Sequence, residues 1–430
     1  MSERYDAIII GAGIIGACIA RELAGKGWRT LNVDRLPAAG YGSTGASCAI
    51  IRSHYSTYDG AALAYEGYFY WRDWPAYVGV EDERGLARFH ETGCLVYKTA
   101  QNNHLAAVLE HTRALGIPHE EWDPDRIRKR LPFVDLHAFG PPKQPDDPRF
   151  GESDGDTLLS AVFFPCAGYV NDPQLAAHNA QRSAESKGAA FRFNAEVVEI
   201  GREAGRVAGI TLAGGERIDA PVVVNVAGPH SFKVNELAGV AAGMNVKTRA
   251  LRQEVAHVPP PPGVEYPFVF SDSDVGCYTR PEMGSILIGS EDPQCDPREW
   301  VDPDDWNEGF TGQWRNQVCR VAQRIPALAI PNREQGVVHL YDVADDWIPI
   351  YDCSDCRGFY MAVGTSGNQF KNAPVAGVIM GSLIEACENG RDHDRDPLSV
   401  ELVHTGLSVD VGFYSRRREL NPESSYSVLG

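Results

Sequence analysis

The chain has no apolar run near the roughly 20 residues that a bilayer-spanning helix needs, so no membrane span is expected. Basic residues are in short supply: 40 Lys and Arg stand against 58 Asp and Glu, a formal net charge of −18. A surface of that sign repels nucleic acid and anionic membrane, which excludes both as partners, and an anionic substrate would need local cations to receive it. Paired cysteines are missing too. Ten cysteines are scattered along the chain, and the one close pair, Cys353-Ser-Asp-Cys356, has no second pair beside it. That suits a reducing cytoplasm better than a disulfide framework, and no metal site is read from it. The apolar start lacks a basic flank and is broken by three glycines, so no secretory leader is expected. Internal repeats and low-complexity linkers are also absent.

What is present begins with Tyr5-Asp-Ala-Ile-Ile-Ile-Gly11-Ala-Gly13-Ile-Ile-Gly16. Residues 7–10 form a short apolar run suited to a strand buried on both faces. It breaks into glycines, after which Ile14, Ile15, Cys18, Ile19 and Leu23 recur at helical spacing. A second strand, 30–33, ends in Asp34. Strand, glycine turn, helix, strand and acid within about thirty residues is the dinucleotide-binding fingerprint. Gly11 permits the tight turn, Gly13 lets backbone N–H groups close on a pyrophosphate, and Gly16 packs the helix on the strand. The helix N-terminus presents its positive end to the phosphates. Asp34 would accept from the ribose hydroxyls, which argues against a 2′-phosphate. The motif alone does not separate FAD from NAD.

At 430 residues, 43% hydrophobic and 23% charged, two intertwined domains of a globular protein are expected. After Asp34, Arg35 leads into a loop of small and hydroxylated residues (Ser43, Thr44, Gly45, Ala46, Ser47) and then into an apolar run ending in Arg52. Small side chains allow a flat ring to approach the backbone closely. Residues 59–77 read as one helix whose aromatic face (Tyr65, Tyr68, Phe69, Trp71, Trp74) suits a core rather than a cation cage. A strand over 93–97, a helix over 103–115 and a proline-dense loop over 141–148 follow. A helix over 173–187 precedes strands at 190–193, 196–200, 207–212 and 222–226, and strand alternation recurs between 249 and 289. Helices are expected over 304–325. The end of the chain, with Arg416-Arg-Arg-Glu, reads as a solvated face or subunit contact.

Two blocks carry a family resemblance. The first is Ile50-Ile-Arg52-Ser-His-Tyr55, followed by Asp59-Gly-Ala-Ala and Tyr65-Glu66. The second is Phe359-Tyr-Met-Ala-Val-Gly364-Thr-Ser-Gly367-Asn-Gln-Phe-Lys371-Asn-Ala-Pro374. With the glycine turn, they resemble the FAD-dependent amine oxidoreductases of the D-amino acid oxidase superfamily, in the branch of sarcosine oxidase and dimethylglycine dehydrogenase. The resemblance implies an α/β (α+β) fold: a Rossmann-type FAD-binding domain with a discontinuous antiparallel-sheet substrate domain. Expected segments are 1–83, 151–232 and 331–395 for FAD binding, 84–150 and 233–330 for substrate, and 396–430 as a tail.

The resemblance also assigns roles. Arg52 and Lys371 would bracket a substrate carboxylate beside the flavin. Val197 would lie near the adenine, Ala227-Gly228 beside the cofactor, and Gly364, Ser366, Gly367, Asn368, Gln369, Phe370 and Lys371 around the flavin. His54, Tyr55, Tyr278 and His339 are candidates to line the pocket or accept a proton. Where the family often has Ser-Gly-His-Gly-Phe-Lys, this chain has Ser366-Gly-Asn-Gln-Phe-Lys371. His339 stands where monomeric sarcosine oxidases carry a flavin-linking cysteine, and Asp172 where the heterotetrameric beta subunit carries an FMN-linking histidine. Non-covalent FAD is therefore expected. The lysine of oxygen-reactive members is missing from 286–288, which tilts the reading towards a dehydrogenase.

The implied activity is oxidation of the C–N bond of a small secondary or tertiary amino acid, with dioxygen or a redox partner as electron acceptor and a homo-oligomer as an option. A D-amino acid dehydrogenase or oxidase, or a flavoprotein subunit of a larger complex, are the alternatives.

Overall fold

Residues 7–10 pair in parallel with Thr30–Val33 on one side and Val222–Asn225 on the other. They thus become an interior strand, buried on both faces, as a continuous apolar run requires. The computed structural model describes residues 4–155 and 157–428. Its first sheet has six strands in the order Ile350–Cys353, Phe359–Val363, Val222–Asn225, Ala7–Ile10, Thr30–Val33, Ala190–Arg192. Every neighbouring pair is parallel except the hairpin of the first two. Alternation along Ala7–Ile10 splits the core in two. Ala7 and Ile9 face the helices Ile14–Gly25, Pro173–Ser186 and Ala373–Glu388. Ile8 and Ile10 face a three-stranded meander, Val197–Glu203, Arg206–Leu212 and Arg217–Asp219, through Ile200, Ile210 and Ile218. Connections leave Ala7–Ile10 in opposite directions, so a crevice opens at its carboxyl end, where Gly11 lies.

A second sheet of nine strands is antiparallel apart from the pairing of Val269–Asp272 with Cys94–Tyr97. Its longest strand, Thr248–Val258, pairs along its length with Gly336–Ala344. The helix Gly312–Arg324 covers one face with Trp314, Val318 and Val321. That helix also brings two buried cations to acids of the sheet region: Arg320 lies 2.6 Å from Asp296, and Arg324 lies 2.7 Å from Asp272 and 2.9 Å from Asp274. Removing one partner of such a pair strands the other charge.

Several expectations are corrected. Residues 59–77 form two helices, Tyr58–Arg72 and Trp74–Val78, because Pro75 cannot continue a helix and starts the second one instead. Their aromatic residues are core: Trp71 stacks on Trp74 and on Phe370. Helix is confined to Gly312–Arg324, where Thr311 caps it, and 304–311 is extended or turn. Two strands inside segments expected for FAD binding, Ala161–Phe164 and Gly336–Ala344, join the antiparallel sheet instead. Arg416 is not solvated; it is buried and ion-paired with Asp352, Asp355 and Asp394. Beyond it the chain is stitched down by Arg418 on Asp346 and by Ser424 on the Asp346 carbonyl, ending with Val428 packed near Leu251, Val343 and Trp347.

The antiparallel sheet also buries Glu291, whose two oxygens accept from Ser271 (2.7 Å) and Ser273 (2.9 Å). Burial pushes its carboxyl up to about 7. The folded state therefore holds this proton where an unfolded glutamate has lost it, and stability falls as pH rises from the ordinary glutamate value to about 7. Glu291→Gln is expected to melt higher than the parent protein at pH 8 and at the same temperature at pH 4, measured by thermal denaturation.

Candidate functional site

The crevice at Gly11 continues between the two sheets as a cavity of about 1200 Å³, long enough to take a dinucleotide and a small substrate together. At one end, Gly11 adopts φ +124°, and a Cβ there would stand 2.3 Å from the Val226 carbonyl oxygen. Gly13 has an ordinary φ of −68° and is required for a different reason. A side chain there would project towards Thr44 Oγ1, 3.0 Å from its Cβ, into space the phosphates need. Thr44 Oγ1 accepts from the Ile14 N–H at 3.1 Å, so a hydroxyl caps the positive end of this helix. Asp34 accepts from the Ala12 N–H (2.7 Å) and the Leu36 N–H (2.9 Å). It thus fixes both turns while lining the cavity.

Near Asp34 the cavity is bordered by a bridge that no local sequence pattern signalled. Arg35 lies 2.7 Å from Asp304, Lys233 is 2.7 Å from the same carboxylate, and His230 Nε2 is 2.9 Å from it. Hydrogen bonds from the Lys233 and Arg35 cations, with a further one from His230, hold the Asp304 carboxyl far below the usual range. Because these groups are part-exposed, the bridge adds little to folding stability, but it ties the loop after Val301 to the parallel-sheet layer.

At the other end, Gly364, Ser366 and Gly367 all have positive φ (68°, 48° and 69°). This turn is pinned by Asp342, whose Oδ2 accepts from the Gly364 N–H at 2.7 Å and whose carbonyl accepts from the Ser366 N–H. The Tyr341 ring lies where a Cβ on Gly367 would be, 2.3 Å from its edge. Asn368 Nδ2 is buried, without a partner among the described residues, on a residue that lines the cavity. An unpaired buried donor beside this turn fits a flavin edge rich in acceptors.

Beyond this turn lie Arg52 and Lys371, 7% and 2% exposed. Arg52 donates to the His54 carbonyl (3.2 Å) and the Val428 carbonyl (2.6 Å). Lys371 Nζ donates to Tyr55 Oη at 2.7 Å and to the Asn368 carbonyl. The Tyr55 ring lies between them, 4.4 Å from the Arg52 guanidinium carbon and 5.1 Å from Lys371 Nζ. Neither side chain has a carboxylate within ion-pair distance among the described residues. Burial, together with Arg52, holds Lys371 well below the usual lysine range. Burial, Arg52 and Lys371 likewise keep the His54 imidazole neutral; it stacks on Phe164 at 4.1 Å with Nδ1 unpartnered.

Most expected site residues line one cavity: Gly11, Gly13, Ile14, Ile15, Gly16, Asp34, Arg35, Ser43, Thr44, Ala46, Ser47, Val197, Gly228, Gly367, Asn368, Gln369, Phe370 and Lys371, with Arg52, His54, Tyr278 and His339. Four do not. Gly45 closes the small-residue loop on the Gly40 carbonyl, Gly364 and Ser366 shape the second turn, and Tyr55 lies behind Lys371. His339 is on the wall, with its Nδ1 3.3 Å from Ser43 Oγ and its ring against Trp306. It thus braces the small-residue loop through Ser43. Cys48, Gln253, Tyr341 and Val428 are wall residues that were missed, because strand register and the path of the chain end place them there.

Comparison with known proteins agrees with this geometry. The family described as FAD dependent oxidoreductase (DAO) matches residues 6–383. The chain is 24% identical over 435 residues to FAD-dependent oxidoreductase domain-containing protein 1 of Bos taurus, covering 89% of this chain and 81% of that one. It is 26% identical over 393 residues to sarcosine oxidase subunit beta of Rhizobium meliloti (strain 1021), covering 88% and 84%. The fold is that of L-proline dehydrogenase from P. horikoshii, with a TM-score of 0.75 at 19% identity over 97% of this chain and 98% of the other. No helix among the described residues is long and apolar enough to cross a membrane. With two glycine turns closing on one cavity and a match over most of its length, the chain belongs to the DAO family of FAD-dependent oxidoreductases.

Proposed function

We propose that this enzyme oxidises the C–N bond of a small, carboxylate-bearing secondary or tertiary amino acid, N-methylated or cyclic, by hydride transfer from the carbon next to nitrogen, and that the resulting imine is hydrolysed. The observation that carries this reading is the pair Arg52 and Lys371: buried, lining the cavity, and without a carboxylate partner among the described residues. When bound, FAD supplies through its N5 the acceptor for the hydride.

The protein's own residues do the rest. Arg52 and Lys371 fix the carboxylate, and Arg52 can turn from the Val428 carbonyl to a stronger acceptor. Tyr278, whose hydroxyl lies 3.5 Å from Cys48 Sγ, and Tyr341 close the aromatic wall and exclude water from the nitrogen end. Acids that line the cavity, such as Asp34 and Asp304, are engaged with the glycine turn and the Arg35 bridge. Local positive potential at the carboxylate end offsets the −18 of the whole chain. Ile286, Leu287 and Ile288 are buried aliphatic residues of the sheet, which supports an acceptor other than dioxygen.

Anaerobic titration of the yellow holoenzyme with a panel of N-methyl, cyclic and D-amino acids tests this. Loss of visible absorbance with the first two classes, and an aldehyde or ring-opened product, is the expected result. Bleaching by D-amino acids with release of ammonia would replace it with a deaminating D-amino acid enzyme. No bleaching by any of them would point to a flavoprotein subunit that needs a partner.

A further inference from the structure

We propose that Lys371 accepts the substrate's ammonium proton: the arrival of a carboxylate beside Arg52 makes this cavity-lining amine the base that frees the substrate nitrogen. The inference rests on the carboxylate reading above and deepens it. An amine that carries a proton has no lone pair to assist departure of a hydride, so the zwitterion that enters must be deprotonated at nitrogen before it can react.

The hydrogen bonds around Nζ leave one place for that proton. Tyr55 Oη donates its own hydrogen to the Asn368 carbonyl at 2.8 Å, so at Lys371 it can only accept. The Asn368 carbonyl accepts from Nζ as well. A neutral lysine has two N–H bonds and one lone pair. Both N–H bonds are taken by these two acceptors, and the lone pair is left for the cavity that Lys371 lines. On protonation, the new N–H points to the same place, where the carboxylate would meet it.

The surroundings favour the neutral form until an anion arrives. From the 52–55 segment come Arg52, a cation, with neutral His54 and Tyr55. From the helix Tyr58–Arg72 comes Trp71, whose indole donates to the Lys371 carbonyl. From its own turn come Asn368, Gln369 and Phe370, and Tyr351 reaches the turn only through Gln369. No carboxylate faces Nζ among the described residues. Bringing in one negative charge reverses the balance, because opposite charges a few ångströms apart in a dry site favour the charged amine. The step balances: one N–H bond of the substrate ammonium breaks, one N–H bond forms on Nζ, and no electrons change hands.

The test separates a bare carboxylate from an amino acid. Tetrahydrofuran-2-carboxylate carries oxygen where a cyclic amino acid carries nitrogen, so it brings the negative charge but no transferable proton. Its binding to the FAD-loaded enzyme at pH 7.5 is measured calorimetrically in buffers of different ionisation enthalpy. Uptake of about one proton per molecule bound is expected, with little uptake in Lys371→Met and full uptake in His54→Gln. The pH profile of substrate-driven bleaching gives a second readout: in Lys371→Met the rate should rise about tenfold per pH unit up to the amine's own pKa, while the parent enzyme is flat over the same range.

Binding without proton uptake would overturn the inference while leaving the carboxylate site standing. Uptake that persists in Lys371→Met, or disappears in His54→Gln, would also overturn it, the latter moving the role to His54. Failure of the parent enzyme to bind the carboxylate at all would overturn both this inference and the functional reading beneath it. Should Lys371→Met not fold, the proton count on the parent enzyme decides alone.

Discussion

Gly13→Val is expected to give colourless protein that still folds. Its φ of −68° suits any residue, and the nearest atom to an added Cβ is a hydroxyl at 3.0 Å, so the empty polypeptide can accept the side chain with a small shift of Thr44. The cofactor cannot, because the valine methyls fill the approach of the pyrophosphate to the helix N-terminus. Charge-assisted hydrogen bonds contribute about 1.5–3 kcal/mol each, so losing two of them weakens FAD binding by roughly 10²–10⁴-fold. Gly11→Ala makes the contrast. At φ +124°, with a Cβ 2.3 Å from the Val226 oxygen, that change strains the backbone itself and should lower the melting temperature of the cofactor-free protein. Flavin absorbance per mole of protein, together with melting of cofactor-free samples, separates the two. A Gly13→Val protein with a full complement of FAD would remove the first glycine turn from the cofactor site.

Arg52→Met should raise KM for the carboxylate substrate by roughly 10–150-fold, the span that about 1.5–3 kcal/mol of charge-assisted hydrogen bonding converts to. FAD should remain bound, since Arg52 is held by the His54 and Val428 carbonyls and the Tyr55 ring. Arg52→Lys should recover little of the loss. A single ammonium cannot reproduce the fork that holds two carbonyls now and a carboxylate in turn. Comparing KM for an amino acid with that for its amide makes the test specific: the parent enzyme should prefer the acid strongly, and Arg52→Met should nearly lose the preference. An unchanged preference would show that the carboxylate binds elsewhere.

These effects were legible to different degrees before any coordinates. The first turn could be read almost residue by residue, because Ala7–Ile10, Gly11, Gly13 and Asp34 are local and their spacing encodes the geometry. Bringing Lys371 to Arg52 needed a contact across more than three hundred residues, and only the resemblance supplied it. The local pattern of 304–325 suggested helix throughout, yet Asp302 and Asp304 are drawn to Lys233 and Arg35 of the other layer, so tertiary ion pairing overrode local preference. His339 illustrates the limits of alignment. It occupies the expected strand, but the pairing of Gly336–Ala344 with Thr248–Val258 sets its ring against Trp306. Val428 had no readable signal at all, because Val-Leu-Gly at the close of a polar stretch has no pattern that predicts burial against Arg52.

The order of strands in the parallel sheet carries a consequence for biosynthesis. Ala7–Ile10 sits beside Val222–Asn225, and Phe359–Val363 comes next. A growing polypeptide that has emerged as far as its first glycine turn therefore displays an apolar strand whose neighbour on one side is still about two hundred codons from being translated. Long-range pairing of this kind is slow and leaves sticky edges exposed meanwhile. Ribosome-bound intermediates shorter than about 370 residues should consequently depend on chaperones and hold no FAD, and supplying riboflavin during expression should help only once the remainder of the second turn has left the exit tunnel.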